Sequence, residues 1–397
     1  MTDNKIRIGL FGFGTVGRGL FELLKYVPTP NVSIKRICVR DASKDRGVAA
    51  DFTTSANDIF NDPEINFIVE LIDDADASFE IVSRAIKNHL PVVTGNKKML
   101  AHRLPELIEL QKQYDSTLLY DASACGSIPV IRNLEEYYDN DLLISVKGIL
   151  NGSSNFILSK IFNDNMSHAD ALELARKEGF LESDPTLDLD GWDSLFKLII
   201  IGVHAFGVYV NPERIFNYGI THMNDHDIRF AREKDRRIKL VAHVEKLSDN
   251  RLVMCVIPQL ISKNKYIYSV EDEFNGVVIK GLFYDKQFMF GRGAGARPTS
   301  SAVLSDITAC LYNYRYEYKK LRHSETLPTF SDDISFRIYV RYSDPVDLGL
   351  LHFEEIFESY SSKGYNYIVG RVSLKSLHSA REALNSRKVF LAAYPTD

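Results

Sequence analysis

Cysteine is scarce: the 397 residues hold four, Cys38, Cys125, Cys255 and Cys310. None falls into a CxxC pair or a Cys/His metal spacing, so they read as reduced, mostly buried thiols of a cytoplasmic protein. A cationic excess is also absent. Lys and Arg number 48 against 53 Asp and Glu, for a net charge of −5, which gives no general attraction to nucleic acid or to an anionic membrane. No apolar run approaches the roughly 20 residues of a membrane span. The first residues, MTDNKIRIGLFGFG, run straight into a strand and leave no room for a signal peptide. Internal repeats and low-complexity segments are missing too. What remains is an ordinary globular composition, 45% hydrophobic and 25% charged, in a chain long enough for two or three domains. A small-molecule partner is expected, with no nucleic acid and no membrane.

The first motif present is a turn. An apolar run, Ile6–Phe11, leads into Gly12-Phe13-Gly14-Thr15-Val16-Gly17 and then into helical periodicity over residues 18–26. Strand, GxGxxG turn and helix in that order are the parts of a dinucleotide-binding Rossmann fold, because the glycines let the backbone approach a pyrophosphate at a helix N-terminus. By itself the motif is equally a tight turn; its setting between a strand and a helix favours the nucleotide. The next strand, residues 33–39, ends at Arg40-Asp41. An acid there would hold the ribose diol of NAD, whereas a basic residue accommodates the extra phosphate of NADP. Arg40 favours NADP, and Asp41 beside it leaves NAD open. Further strands are expected at 66–71, 90–94 and 117–121, with a helix over about 78–88. Such alternation implies a parallel, doubly wound sheet with ligand at the strand C-terminal ends, the edge on which Asp73 and Lys97 fall. Residues 123–129 are small and turn-like. Their carbonyls suit either a monovalent cation or a tight crossover between domains.

Residues 145–150 read as a strand leading into Asn151-Gly152-Ser153-Ser154-Asn155, a cluster that supplies caps and open amides to a helix over 156–162. Amides at a helix start can hold a carboxylate. A helix over 169–178 follows. Segments 251–260, 266–270, 276–284 and 287–290 are β-rich with no helix between them, which implies an antiparallel sheet and a second domain of α+β type. A helix reaching about residue 311 then returns to the first domain. The tail reads as strand 334–342, helix 348–360, strand 365–374, a helix, and strand 389–394. The expected α/β architecture is thus a Rossmann domain from 1–130 and 291–320, a catalytic and dimerisation domain over 131–290, and a small C-terminal α/β module over 331–397.

One stretch stands apart. Residues 179–197, GFLESDPTLDLDGWDSLFK, carry Glu182, Asp184, Asp188, Asp190 and Asp193, too much charge for a core segment. An apolar helix follows at once, so its first turn holds Lys197 near the interior, one turn from Asp193. Alone, this is an ordinary i,i+4 pair worth about 0.3–0.5 kcal/mol on an exposed helix.

Together these motifs resemble homoserine dehydrogenase, from Ile6 to about Leu311. Ala175, Gly179, Asp184-Pro185, Asp188, Gly191, Asp193 and Lys197 fit that family in type and spacing. The GFGTVG turn, Thr94-Gly95-Asn96-Lys97, residues 151–155, and Gly293-Ala294-Gly295 with Pro298-Thr299 support it. The resemblance implies NAD(P)-linked interconversion of aspartate 4-semialdehyde and homoserine, on the route to threonine and methionine. It implies Lys197 as the catalytic lysine, with Glu182, Asp188 and Asp193 binding substrate or orienting that lysine, and Ser153 on the substrate side. Lys97 matches a lysine near cofactor and substrate, Asp73 and Gly295 match cofactor contacts, and Asp121, Ala124, Gly126 and Ile128 match a sodium site. A homodimer is implied as well. No kinase-like segment precedes the Rossmann motif, so the monofunctional form is expected. There are departures: Asp73-Asp74 replace a frequent Gly-Gly, Phe180 a frequent Tyr, Leu181 a small residue, and Asp121 the usual Glu. Asp344-Pro345-Val346 lacks the Pro-Gly turn of the ACT domain that many relatives carry, so the tail is ACT-like at best. The alternative is another Rossmann oxidoreductase, such as a semialdehyde dehydrogenase, which needs a nucleophilic cysteine; Cys125 is the candidate.

Overall fold

A computed structural model describes residues 5–26, 31–140, 142–181, 184–322 and 327–395. The chain divides into two compact units, Met1–Tyr137 with Arg292–Lys319, and Tyr138–Gly291 with Lys320–Asp397. Among the described residues no helix is long and apolar enough to cross a membrane.

The first unit is built on six parallel strands, β1 (Ile6–Phe11), β2 (Val32–Cys38), β3 (Phe52–Thr53), β4 (Phe67–Glu70), β5 (Val92–Thr94) and β6 (Leu118–Leu119), in the order 3-2-1-4-5-6. Parallel strands are covered on both faces, which is why β4 and β5 are buried at every residue and are apolar up to their last residues, Glu70 and Thr94. The order reverses beside β1, and open sheets of this kind take their ligand at such a point. Helix Lys97–Tyr114, which buries Leu100, Leu104, Leu107, Ile108 and Gln111 along one face, starts on Asn96, whose side chain accepts from the Met99 amide at 2.9 Å. Helix Ala296–Cys310 returns to pack on Thr15–Tyr26. The approach is close: a Cβ on Gly19 would stand 2.8 Å from the Ala296 carbonyl oxygen.

The second unit holds an eleven-stranded mixed sheet: β7 (Leu143–Ile149), β8 (Phe216–Asn217), β9 (Arg236–Lys246), β10 (Arg251–Ser262), β11 (Phe274–Gly281), β12 (Asp285–Arg292), β13 (Thr329–Phe330), β14 (Ser335–Tyr342), β15 (Phe353–Ser362), β16 (Tyr365–Ser373) and β17 (Phe390–Ala393). Their order is 12-11-7-9-10-17-14-16-15, with β8 and β13 also paired to β10. Helix Trp192–Phe206 packs on β7, β9 and β10, and every residue from Asp193 to Phe206 is buried. The tail shares this sheet: β17 pairs β10 at Ala393 and Gln259. It shares the core as well, since Leu377 and Leu384 of helix Leu374–Ser386 cluster with Val253 and Ile257 of β10 and with Ile338 of β14.

Two expected elements differ. Residues 348–360, read as a helix, form the end of a 3₁₀ turn (Pro345–Leu350) and the edge strand β15. Phe353, Ile356, Phe357 and Tyr360 do have helical spacing. In the sheet the register against β16 shifts at Phe353/Glu355 and again at Ile356/Glu358, and each irregularity resets the alternation of faces. Gly364, at φ +90°, turns the hairpin. Residues 266–270, read as a strand, form the 3₁₀ turn Tyr266–Ser269, whose following carbonyl, on Val270, is drawn inward by Lys239 and Asn155.

A buried ion pair joins the tail to helix Asp225–Glu233. Arg341 Nε donates to Asp227 Oδ1 and Oδ2 at 2.9 and 3.0 Å, and the Tyr339 hydroxyl donates to Oδ1 at 2.8 Å. Burial pushes the Asp227 carboxyl up to about 6, while Arg341 pulls it down. Removing the cation leaves an uncompensated buried charge, so Arg341→Met should cost about 3–5 kcal/mol and lower Tm by roughly 10 °C in scanning calorimetry. A Tm unchanged from wild type would show that the pair holds nothing together.

Candidate active site

In the first unit the glycines of the turn divide their work. Gly12 sits at φ +92°, where a Cβ would meet the Leu71 carbonyl oxygen at 2.5 Å, and a Cβ on Gly17 would meet the Gly12 carbonyl oxygen at 2.3 Å. Gly14 is different: nothing lies within 4 Å of its Cβ position. Gly14 and Thr15 are exposed at the start of helix Thr15–Tyr26, so two glycines close the turn and the third leaves room for a phosphate. Phe13 is packed edge-on against Phe21 and Phe52, and Val16 is half-buried. Arg40 is exposed just beyond β2, and its side chain makes no hydrogen bond or ion pair among the described residues. Arg46 is committed elsewhere, to the carbonyls of Asp41 and Lys44 at 2.6 and 2.7 Å. Asp73 is exposed after β4, Lys97 opens the helix after β5, and Gly295, at φ +112°, precedes helix Ala296–Cys310.

Beneath these loops lies a residue that the sequence pattern did not single out. Glu70, at the end of β4, is 0% exposed. Its carboxylate accepts from the hydroxyls of Ser78 and Thr94 and, at 2.7 Å, from the Ile72 amide. Thr94 Oγ1 accepts from the Asn96 amide, and Asn96 Nδ2 donates to the carbonyls of Ile72 and Asp74 at 3.0 and 3.4 Å. One buried carboxylate thereby ties the Asp73 loop to the turn that launches Lys97. Burial pushes Glu70 up to about 7, although its three donors oppose the shift.

The second unit gathers most of the remaining expected residues around the end of β7. Asn151 caps helix Gly152–Asn163 by accepting from the Ser154 amide at 2.7 Å. Its Nδ2 donates to Asp188 Oδ1 at 2.7 Å and to Asp193 Oδ2 at 2.9 Å. Lys197 Nζ lies 2.8 Å from the same Asp193 oxygen and donates to the Leu150 carbonyl at 2.6 Å. That carbonyl also accepts from Asn275 Nδ2 at 3.0 Å. Lys197 and Asp193 are each 5% exposed, so the pair is an interior one. Gly191, at φ +83°, starts the helix that bears both; a Cβ there would meet Asn217 Oδ1 at 2.7 Å. Gly152 is equally constrained, with Glu273 O 2.7 Å from its Cβ position, and Ser153 follows it, half-buried.

The five acids separate by role. Asp184 accepts from the amide and hydroxyl of Thr186, and Asp190 from the hydroxyl of Thr221, so both fold the stretch. Asp188 and Asp193 turn to Asn151. Glu182 lies outside the described residues. Phe180 stacks on Phe156 with centroids 4.2 Å apart, and Leu181 is buried, so the two departures from the family pattern are absorbed as packing.

The sodium reading finds no support. Asp121 Oδ1 accepts from the amides of Ile131 and Arg132 at 2.9 and 3.1 Å, at the start of helix Val130–Glu136, and the Ile128 carbonyl accepts from the Val130 amide at 2.8 Å. Gly126, at φ +55°, is packed against Gly293, and Ala124 is buried in the same turn. Among the described residues no group of three or more His, Cys, Asp or Glu could hold a metal.

A dinucleotide turn at the switch point of a parallel sheet in one unit, and a buried lysine and carboxylate on the helix that covers the sheet of the other, define a nicotinamide-dependent oxidoreductase. Two family profiles match: "Homoserine dehydrogenase, NAD binding domain" over residues 12–121 and "Homoserine dehydrogenase" over residues 129–308. The homoserine dehydrogenase of Bacillus subtilis is 32% identical over 321 residues, 78% of this chain and 74% of its own, and that of Helicobacter pylori is 33% identical over 76% and 73%. The crystal structure of a homoserine dehydrogenase from Thiobacillus denitrificans superposes with a TM-score of 0.82 at 27% identity, covering 98% of both chains. A hyperthermophilic archaeal homoserine dehydrogenase in complex with NADPH superposes with a TM-score of 0.67 at 26% identity, over 79% of this chain and 99% of that one. The chain belongs to the homoserine dehydrogenase family, whose reaction is the NAD(P)-linked interconversion of aspartate 4-semialdehyde and homoserine.

Glu70 supplies a measurable signature. Its carboxyl lies near 4.5 when unfolded and about 7 when folded, so the folded state holds the extra proton and stability falls as pH rises from 4.5 through 7. Glu70→Gln should remove up to about 3 kcal/mol of that fall. Denaturation of wild type and variant at pH 5 and pH 8 checks it; parallel profiles would show that Glu70 is not the titrating group.

Proposed function

We propose that Lys197 is the proton donor to the substrate oxygen, and the observation that carries this is its setting. An ammonium has three N–H donors. Two are spent on the Leu150 carbonyl and on Asp193, and the third remains for the aldehyde oxygen. Asp193 fixes the direction of the amine, and Asn151 holds Asp193 in turn. When bound, the nicotinamide supplies the hydride. Its addition leaves negative charge on the oxygen, which a positioned ammonium both stabilises and protonates.

The substrate also carries an ammonium and a carboxylate. Asp188 suits the first, with Glu182 as its partner in that role. The amides of Gly152 and Ser153, ahead of the capped Ser154 amide, suit the second, and Lys97 adds a cation near cofactor and substrate. Asp73, Gly295 and the Gly12 to Gly17 turn are assigned to the dinucleotide, and Arg40 to the NADP phosphate. A cytoplasmic homodimer is the assembly that fits the family. The semialdehyde-dehydrogenase alternative is disfavoured, because Cys125 is buried at 0% exposure.

Following NADPH oxidation with aspartate 4-semialdehyde tests this reading. Lys197→Ala should lower kcat by about 10²–10⁴-fold with a smaller change in KM; near-normal turnover would remove Lys197 from the chemistry. For the cofactor, Arg40→Asp should move the ratio of kcat/KM for NADPH over NADH towards NADH. An unchanged ratio would take Arg40 out of the cofactor site.

A further inference from the structure

A concavity lies on the sheet of the second unit, on strands that bear none of the acids or the lysine described above. Its volume is about 90 Å³, and β7, β10, β11, β12 and the 3₁₀ turn after β10 line it. Lys147, Lys265, Lys280 and Lys286 all border it, and no Asp or Glu is among the lining residues. Ile261, Ile267 and Val278 give the wall its apolar part, and Ser145, Gln259, Asn264 and Tyr266 its neutral polar part.

Gln259 is 4% exposed, and its side-chain amide has no hydrogen-bond partner among the described residues. Neither polar atom of this amide is sealed from solvent, so the amide is open to a ligand in the cavity. Lys280 and Lys286 make no ion pair among the described residues. Glu245 stands 3.7 Å from Lys147 but is shared with His243 at 2.8 Å. Desolvation lowers the Lys147 pKa, Glu245 opposes that, and the charges of Lys280 and Lys265 add to the lowering, so one carboxylate faces several ammonium groups that repel one another across the opening. A compact anion relieves that repulsion. Lysine ammoniums act as point charges that suit a phosphoryl group, and the apolar wall offers contact for a carbon skeleton.

We propose that this cavity binds the phosphoryl group of a small phosphate ester, held by Lys147, Lys280 and Lys286, with the Gln259 amide as a donor and the ester carbons against Ile261, Ile267 and Val278. Free phosphate shares the head group and lacks the carbons, so the two are separable.

The test is calorimetric titration of the cofactor-free protein, at constant ionic strength, with O-phosphoserine and with inorganic phosphate. Wild type and Lys280→Met/Lys286→Met are compared, so that any binding at the dinucleotide turn is common to both. Expected are saturable binding of O-phosphoserine to wild type, weaker binding of phosphate, and at least about a tenfold rise in Kd in the variant. Turnover of aspartate 4-semialdehyde should be unaltered, which also reports that the variant is folded; should the double variant fail to fold, Lys286→Met alone, at an exposed position, carries the comparison. Identical titrations of wild type and variant overturn the proposal, as does the absence of saturation. Equal affinity for phosphate and O-phosphoserine overturns the ester and leaves an anion hole only.

Discussion

The carbonyl of Leu150 and the side chain of Asn151 form the joint on which the second unit depends. An ammonium at 5% exposure is tolerable only where hydrogen bonds and a counter-charge replace water. Here the end of β7 gives the carbonyl, the first turn of the buried helix gives the carboxylate, and the cap of helix Gly152–Asn163 ties that carboxylate in place. Asn275, from β11, reaches the same carbonyl. Four pieces of chain are therefore registered against one another through two adjacent residues, and the Lys197 amine is held by one backbone carbonyl and one carboxylate that is itself fixed by a helix cap.

The cofactor unit uses a related device with the opposite charge. Glu70 is buried without a cationic partner and is satisfied by two hydroxyls and an amide. Such a group fixes direction strongly, because every donor it engages would otherwise lose a bond in a dry interior. Loop and helix start are held from below, and their upper surface is left open.

Much of this was legible in the sequence where the signal is local. The glycine turn, the parallel strands, the Asp193–Lys197 spacing and the cap at Asn151 depend on neighbours within a few residues. What could not be read is carried by partners far apart in the chain: Asn275 with Leu150, Glu70 with Thr94, Asn151 with Asp188. Hydrogen bonds of this kind leave no periodicity. Strand β9 escaped notice for a related reason, since Arg236, Arg237 and Lys239 look like a surface yet Lys239 is buried against Asn155 and Val270. Strand β15 misled in the other direction, its register shifts imitating the spacing of a helix. Asp121 matches a sodium ligand by the family resemblance alone, and one of its oxygens accepts from backbone amides ten and eleven residues on, a pairing that no local pattern announces.

The place of β17 has a consequence for how the chain can be made and altered. This short strand, close to the end of the sequence, lies between β10 and β14 in the interior of the sheet. During synthesis β10 must wait for a neighbour that emerges long after it, and such distant pairings are slow to form and leave an edge exposed meanwhile. Removing this segment would therefore take a strand from the middle of the sheet rather than from its edge, together with the core that helix Leu374–Ser386 shares with β10.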